Sequence, residues 1–227
     1  MEGSKMTDSS ENSSEKIVLT DMQIRVLGSL VEKSTTTPDQ YPLTLNSTKV
    51  ACNQKSSREP VVNYDDNQVR NTLYDLEKMG FARQLNPSDS RVAKYEHRFG
   101  KRLDITLKEQ AILCVLMMRG SQTVNEIRTR AQRQYEFSDN LEVERILKRM
   151  IDRLPYPLVV NIPKQAGQKE SRYAHLLDGK EMEELVEQAA SRRESAVIDS
   201  GVSDDIAALK NEIERLKERI ERLEEKG

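Results

Sequence analysis

The 227-residue chain reads as a mainly α protein with small β-wings: two tandem winged helix-turn-helix domains followed by a C-terminal helix and a coiled coil. Three observations lead there. One order of capping residues and apolar stripes runs twice along the chain, each run ends in a candidate two-stranded ribbon, and a heptad seam of Ile and Leu closes the sequence. The boundaries that follow are a tail at 1–16, domains at 17–103 and 104–177, an amphipathic helix at 178–198, a linker at 199–205 and a coiled coil at 206–225.

The first run opens at Leu19. Thr20 and Gln23 form a capping box, in which side chain and backbone at a helix start satisfy each other, and Ile24, Leu27 and Leu30 or Val31 make an apolar helical stripe. The second run opens at Ile105 with Thr106 and Glu109 as its box. Its Ile112, Leu113 and Leu116 stand at a constant offset of 86 from Val26, Leu27 and Leu30, and Gly120 supplies a stop. Second helices are expected over about Leu43–Asn53, after a Pro-containing TTTPDQYP, and about Val124–Gln134, boxed by Thr123 and Glu126. Third helices start at Asp65 with Gln68 and at Asp139 with Glu142, and turn Val69, Leu73 and Leu76, or Val143, Leu147 and Met150, inward.

Each run then offers a hairpin. The first joins FARQL (Phe81–Leu85) to VAKYEHRF (Val92–Phe99) through a polar NPSDS turn; the second joins LVVNI (Leu158–Ile162) to SRYAHLL (Ser171–Leu177) through PKQAGQ. Both return strands carry Tyr-x-His, at Tyr95/His97 and Tyr173/His175. That repetition points to a structural role for the histidines, such as a hydrogen bond closing the ribbon.

Past the second ribbon, Met182, Leu185, Val186 and Ala189 share one side of a helix. Ile206, Leu209, Ile213, Leu216, Ile220 and Leu223 then recur at heptad spacing with Ile at every a and Leu at every d, the choice that favours a parallel two-stranded coil. Across such a dimer the facing charges are Asp205–Lys210, Glu212–Lys217 and Arg219–Glu224, all attractive. The pattern also suits a charged helix docked on its own domain, since an exposed pair contributes only about 0–1 kcal/mol.

Composition bounds the chemistry. With 33% charged, 36% hydrophobic and 4% aromatic residues the chain is charge-rich and core-poor, which fits small domains and solvated segments. The net charge of −2 averages unlike segments: residues 19–177 hold 25 basic and 19 acidic side chains, residues 178–227 hold 9 and 15, and residues 1–18 hold 2 and 4. A local +6 is compatible with a phosphate backbone, which feels charge only within about 10 Å. The sequence shows no apolar run near the ~18 residues of a membrane span and no leader in its Ser- and Glu-rich start, so a cytoplasmic protein is expected. Cys52 and Cys114 lie in apolar helical stretches, as small buried residues do. A Gly-rich phosphate loop, H-E-x-x-H, G-x-S-x-G and C-x-x-C are all missing from the sequence; no catalysis, metal or cofactor is expected.

In a winged helix the third helix enters the major groove while the wing tracks phosphates, which calls for Arg and Lys on the backbone and Asn, Gln or Arg on base edges. The first domain supplies Asn67, Arg70, Asn71, Tyr74 and Lys78 on its third helix, Arg91, Lys94 and Arg98 on its wing, and Lys55 and Arg58 in the loop QKSSREP. The second supplies Arg145, Lys148 and Arg149 on the third helix, Lys164, Lys169 and Arg172 on the wing, and Arg128, Arg130 and Arg133 on the second helix. Against this, Asp65, Asp66, Asp75, Glu142 and Glu144 set negative charge beside the same faces, and a mixed run is often only a solvated surface. The expected partners are a second copy of the chain, through the heptad seam, and double-stranded DNA. A protein-interaction scaffold without DNA binding is the alternative.

The stretches TTTPDQYPLTLNSTKVACNQKSSREPVVNYDD, YEHRF, RGSQTVNEIRTRAQRQYEFSD and KESRYAHL closely resemble the YceH family of uncharacterised bacterial proteins, over roughly Leu19 to Leu177. The resemblance implies two tandem winged-helix domains in a bacterial cytoplasmic protein and no established activity. Within ACNQKSSREPV, the polar Asn53, Gln54, Lys55, Arg58 and Glu59 fit either a functional surface or a loop that braces the third helix. Ser57 departs from the family, which has Asn there.

Truncation after Ser200 is expected to convert a dimer into a monomer in sedimentation. An unchanged dimer would remove the zipper from that role.

Overall fold

The structure, a computed structural model, describes residues 16–86, 92–164 and 168–188. It is mainly helical with small antiparallel sheets. In chain order the described elements are α1 (Asp21–Thr36), β1 (Leu43–Thr44), α2 (Leu45–Cys52), α3 (Asp66–Lys78), β2 (Ala82–Leu85), β3 (Lys94–His97), α4 (Phe99–Leu103), α5 (Leu107–Arg119), α6 (Val124–Ala131), α7 (Asn140–Ile151), β4 (Val159–Ile162) and β5 (Arg172–His175). A single 3-10 turn, Pro38–Gln40, leads into β1. The chain divides into two units, and the first, ending at Lys180, holds all of these. The second begins at Glu181, and its residues 182–188 are helical, within the helix expected over 178–198. Residues 189–198, the linker and the seam from Ile206 to Leu223 lie outside the described residues.

The caps follow the sequence. Thr20/Gln23, Asp65/Gln68, Thr106/Glu109 and Thr123/Glu126 are reciprocal boxes. Asp139 accepts from the Glu142 N–H at 2.7 Å, but the Glu142 carboxylate turns instead to Ser138 and Lys108. Gly120 ends α5 at φ +69°, a conformation that suits glycine.

Two expectations are corrected. The second helix starts at Leu45 rather than Leu43, because the Thr44 side chain caps it and Leu43–Thr44 are drawn out to pair with β3. The strand expected over Val92–Phe99 spans only Lys94–His97. Phe99 leaves it to open α4, fully buried with its ring centroid 6.3 Å from that of Phe81.

The duplication goes beyond helix order. In the first sheet, ordered β1-β3-β2, Leu43 lies opposite Tyr95; in the second, β4-β5, Gln122 bridges to Tyr173. Leu43 and Gln122 each precede a Thr cap and a second helix, and each meets the Tyr of a Tyr-x-His strand. His97 ties its ribbon to α1 rather than closing it: the ring Nε2 lies 3.1 Å from Ser34 Oγ, and the backbone N–H donates to Tyr41 Oη at 2.6 Å. Burial pushes its pKa down to about 4, so the ring is neutral at pH 7.

The two runs share one core. Ile24 to Val31 of α1 and Glu109 to Met118 of α5 are buried without a break, the signature of helices covered on every side. They cross at Gly28 and Cys114, equivalent residues in the offset of 86, where the Cys114 thiol donates to the Gly28 carbonyl at 3.5 Å. A Cβ on Gly28 would stand 2.4 Å from Met118 Sδ and 3.2 Å from its Cγ. The unit is also tied end to end by the Leu19 N–H, which donates to the Leu177 carbonyl at 2.7 Å.

Gly28→Val should therefore cost about 1–3 kcal/mol by overpacking a filled seam, read as a lower midpoint in urea unfolding. A midpoint equal to the parent's would mean that the seam is loose.

Candidate nucleic-acid interface

The capping box at Asp65 and the burial of Val69, Leu73 and Leu76 fix the rotation of α3. Asn67, Arg70, Asn71, Tyr74 and Lys78 are then all exposed, at spacings of three and four that make one stripe along the helix. Arg70 donates to Asn67 Oδ1 at 3.0 Å, a neutral acceptor, and Lys78 Nζ sits 4.3 Å above the Tyr74 ring, which is 57% exposed. Neither cation has a carboxylate partner among the described residues.

Most of the carboxylates on and beside this helix are engaged elsewhere. Asp65 caps its own helix, Asp66 pairs with Lys49 of α2 at 2.7 Å, and Glu77 accepts from the Gln84 N–H of β2 at 2.8 Å. Asp75 alone stands exposed on the helix without a partner among the described residues. An open depression of about 520 Å³ at the start of α3, lined by Lys49, Asn53, Asn63 and Tyr64 through Asn67, holds the Lys49–Asp66 pair and the Asp65 carboxylate. The cationic surface accordingly lies further along, from Arg70 to Lys78.

On the neighbouring ribbon, Lys94 is half-buried without a carboxylate partner among the described residues, and Arg98 lies 3.5 Å from Glu96. Arg91 lies outside the described residues.

In the second run most of the expected cations are held. Arg149 reaches Glu109 at 3.1 Å, Lys148 reaches Asp152 at 2.7 Å, and Arg130 and Arg172 share Glu126 at 3.2 and 2.9 Å. Arg128 donates to Asn140 Oδ1 at 3.3 Å. Arg133, Arg145, Lys164 and Lys169 are exposed without carboxylate partners among the described residues. Glu142 is bound by Lys108 and Ser138, which hold its carboxyl down to about 2.

The loop after α2 separates its two basic residues. Lys55 is exposed, whereas the Arg58 guanidinium is fully buried. Arg58 donates to both carboxylate oxygens of Glu32, at 3.1 and 2.6 Å, and to the carbonyl of Ala51 at 3.0 Å. Arg58 therefore leaves the set of surfaces open to a phosphate. Asn53 clamps the loop's far end: its amide donates to the Tyr64 carbonyl at 2.8 Å and its carbonyl accepts from the Tyr64 N–H at 2.9 Å. Arg25 adds the Cys52 and Pro60 carbonyls at 3.2 and 2.6 Å. Two guanidiniums thus cover the last carbonyls of α2, where a helix end favours positive charge. Arg25 escaped notice in the sequence, although a charge inside the unbroken apolar run of α1 was its signal. Ser57, at φ +61°, occupies the left-handed region, which Asn tolerates better.

Fold and surface together define a small helical protein, built twice over on one core, with a basic and amide-bearing helix face in its first half. The chain belongs to the family described as "Protein of unknown function, DUF480", which matches residues 19–168, and the YceH resemblance fits that family. It is 43% identical over 199 residues to the UPF0502 protein VS_II0353 of Vibrio atlanticus (strain LGP32), covering 86% of this chain and 90% of that relative.

Arg58→Ala leaves the Glu32 carboxylate with only Lys33, at 3.8 Å, and uncovers α2, and should cost about 2–4 kcal/mol in denaturant unfolding. Lys55→Ala should leave stability within about 0.5 kcal/mol. Equal effects would contradict the bracing role.

Proposed function

We propose that the protein is a non-enzymatic, cytoplasmic, DNA-binding homodimer, a candidate transcriptional regulator, whose two helix-helix-helix-ribbon runs are winged helix-turn-helix domains. The observation that carries this reading is the α3 stripe: Asn67, Arg70, Asn71, Tyr74 and Lys78 exposed together while Asp65, Asp66 and Glu77 are engaged elsewhere. Asn pairs with adenine edges and Arg with guanine or phosphate, so one face holds both kinds of contact. The heptad seam from Ile206 to Leu223 supports the dimer by its a/d choice and its three attractive pairs. Two copies joined this way raise the effective concentration of weak individual contacts. No helix among the described residues is long and apolar enough to cross a membrane.

A second reading, a protein-interaction scaffold, draws support from Leu107 and Leu141. They are 70% and 57% exposed at the starts of α5 and α7, which the Lys108–Glu142 pair links.

A salt series on duplex DNA separates the two. With about four phosphate contacts, affinity should fall roughly a hundredfold between ~50 and ~200 mM salt. No duplex binding at the lowest salt would refute the DNA reading.

A further inference from the structure

The two runs share a scaffold but not a surface. Aligning their third helices by the caps Asp65 and Asp139 and by the buried pairs Val69/Val143, Leu73/Leu147 and Leu76/Met150 sets each position of the α3 stripe against one of α7, and sets Asp75, beside the stripe, against Arg149. Asn67 then corresponds to Leu141, Arg70 to Glu144, Asn71 to Arg145, Tyr74 to Lys148 and Lys78 to Asp152. Two cations of the α3 stripe are replaced by carboxylates, and an amide that suits a base edge by an exposed leucine.

The remaining cations of α7 do not restore the difference. Lys148 is bound to Asp152 at 2.7 Å and Arg149 to Glu109 through both Nε and Nη2 at 3.1 Å, so that Arg145 is the one α7 cation without a carboxylate partner among the described residues, with exposed Glu144 next to it. On α3 the arrangement is reversed apart from the exposed Asp75: Asp65, Asp66 and Glu77 are engaged, and Arg70 and Lys78 have no carboxylate partner among the described residues. A helix entering a groove flanked by phosphates meets a like charge at each exposed acid and loses the ion-release gain at each cation already paired.

We infer that α3 is the one DNA-reading helix of each chain and that α7, its counterpart in the fold, stays out of the groove. The inference rests on the proposed DNA binding and narrows it: one chain reads one half-site through Asn67, Arg70, Asn71 and Tyr74. Recognition of a palindrome then needs the α3 of a second copy, since the chain's own second half cannot supply the matching contacts.

The test compares full-length chains on a labelled pool of short random-sequence duplexes at low salt. Arg70→Glu with Lys78→Glu should weaken binding by at least about tenfold, and Arg70→Ala with Lys78→Ala should make the salt slope shallower by about two. Arg145→Glu with Lys148→Glu should change affinity by less than about twofold, although it reverses as many charges. All six substitutions fall on exposed side chains, and thermal melting checks each fold. If the α7 variant loses as much as the α3 variant, the inference is overturned while DNA binding stands. If the unaltered chain binds no duplex, both fall.

Discussion

The crossing of α1 and α5 at Gly28 is the contact on which the rest of the unit depends. Both helices are buried all round, so neither half has an exposed face of its first helix to spare. Each run is helix-rich, poor in aromatics and close to the size at which a core ceases to be self-sufficient. By laying the two first helices against each other, the chain pools two small cores into one. Glycine is what allows the backbones to close, because the space a Cβ would fill already holds the Met118 thioether.

Around that seam, the division of charges follows a single rule: a side chain fixed by architecture is not free to meet a ligand. Arg25 and Arg58 cover the C-terminal carbonyls of α2, and Arg58 also answers Glu32 across from α1. Asp65, Asp66 and Glu77 cap, pair and brace α3. What remains outward on α3, Asp75 apart, is amide, aromatic and cation. A count of charges along the helix would rate α3 as nearly neutral, yet its solvent face is not, since engagement removes mostly one sign.

Much of this was legible in the sequence, for reasons of period and capping. Four Thr or Asp boxes placed the helix starts because an N-cap needs a specific oxygen and a specific partner three residues on. The repeat itself emerged from the offset of 86 between Val26 and Ile112. Short elements were harder: β1 is two residues long and exists through its pairing with β3, a partner fifty residues away that no local window contains. Phe99 looked like the end of a strand until Phe81 supplied its packing. At the candidate site, residue types on α3 were readable, whereas the fates of Arg58 and Arg149 were not. Both depend on carboxylates, Glu32 and Glu109, that approach from other helices.

The meeting of Gly28 with Cys114 has a historical meaning as well as a mechanical one. Equivalent residues touch each other where two copies face across a twofold axis, and the contact of Cys114 with Gly28 is of the kind that a symmetric dimer interface makes. In a true homodimer every mutation appears on both sides at once. Joining the copies in one chain removes that constraint: the shared seam must still fit, but the outer surfaces can drift apart. Leu141, Glu144 and Asp152 are what such drift looks like on a helix whose twin carries Asn67, Arg70 and Lys78.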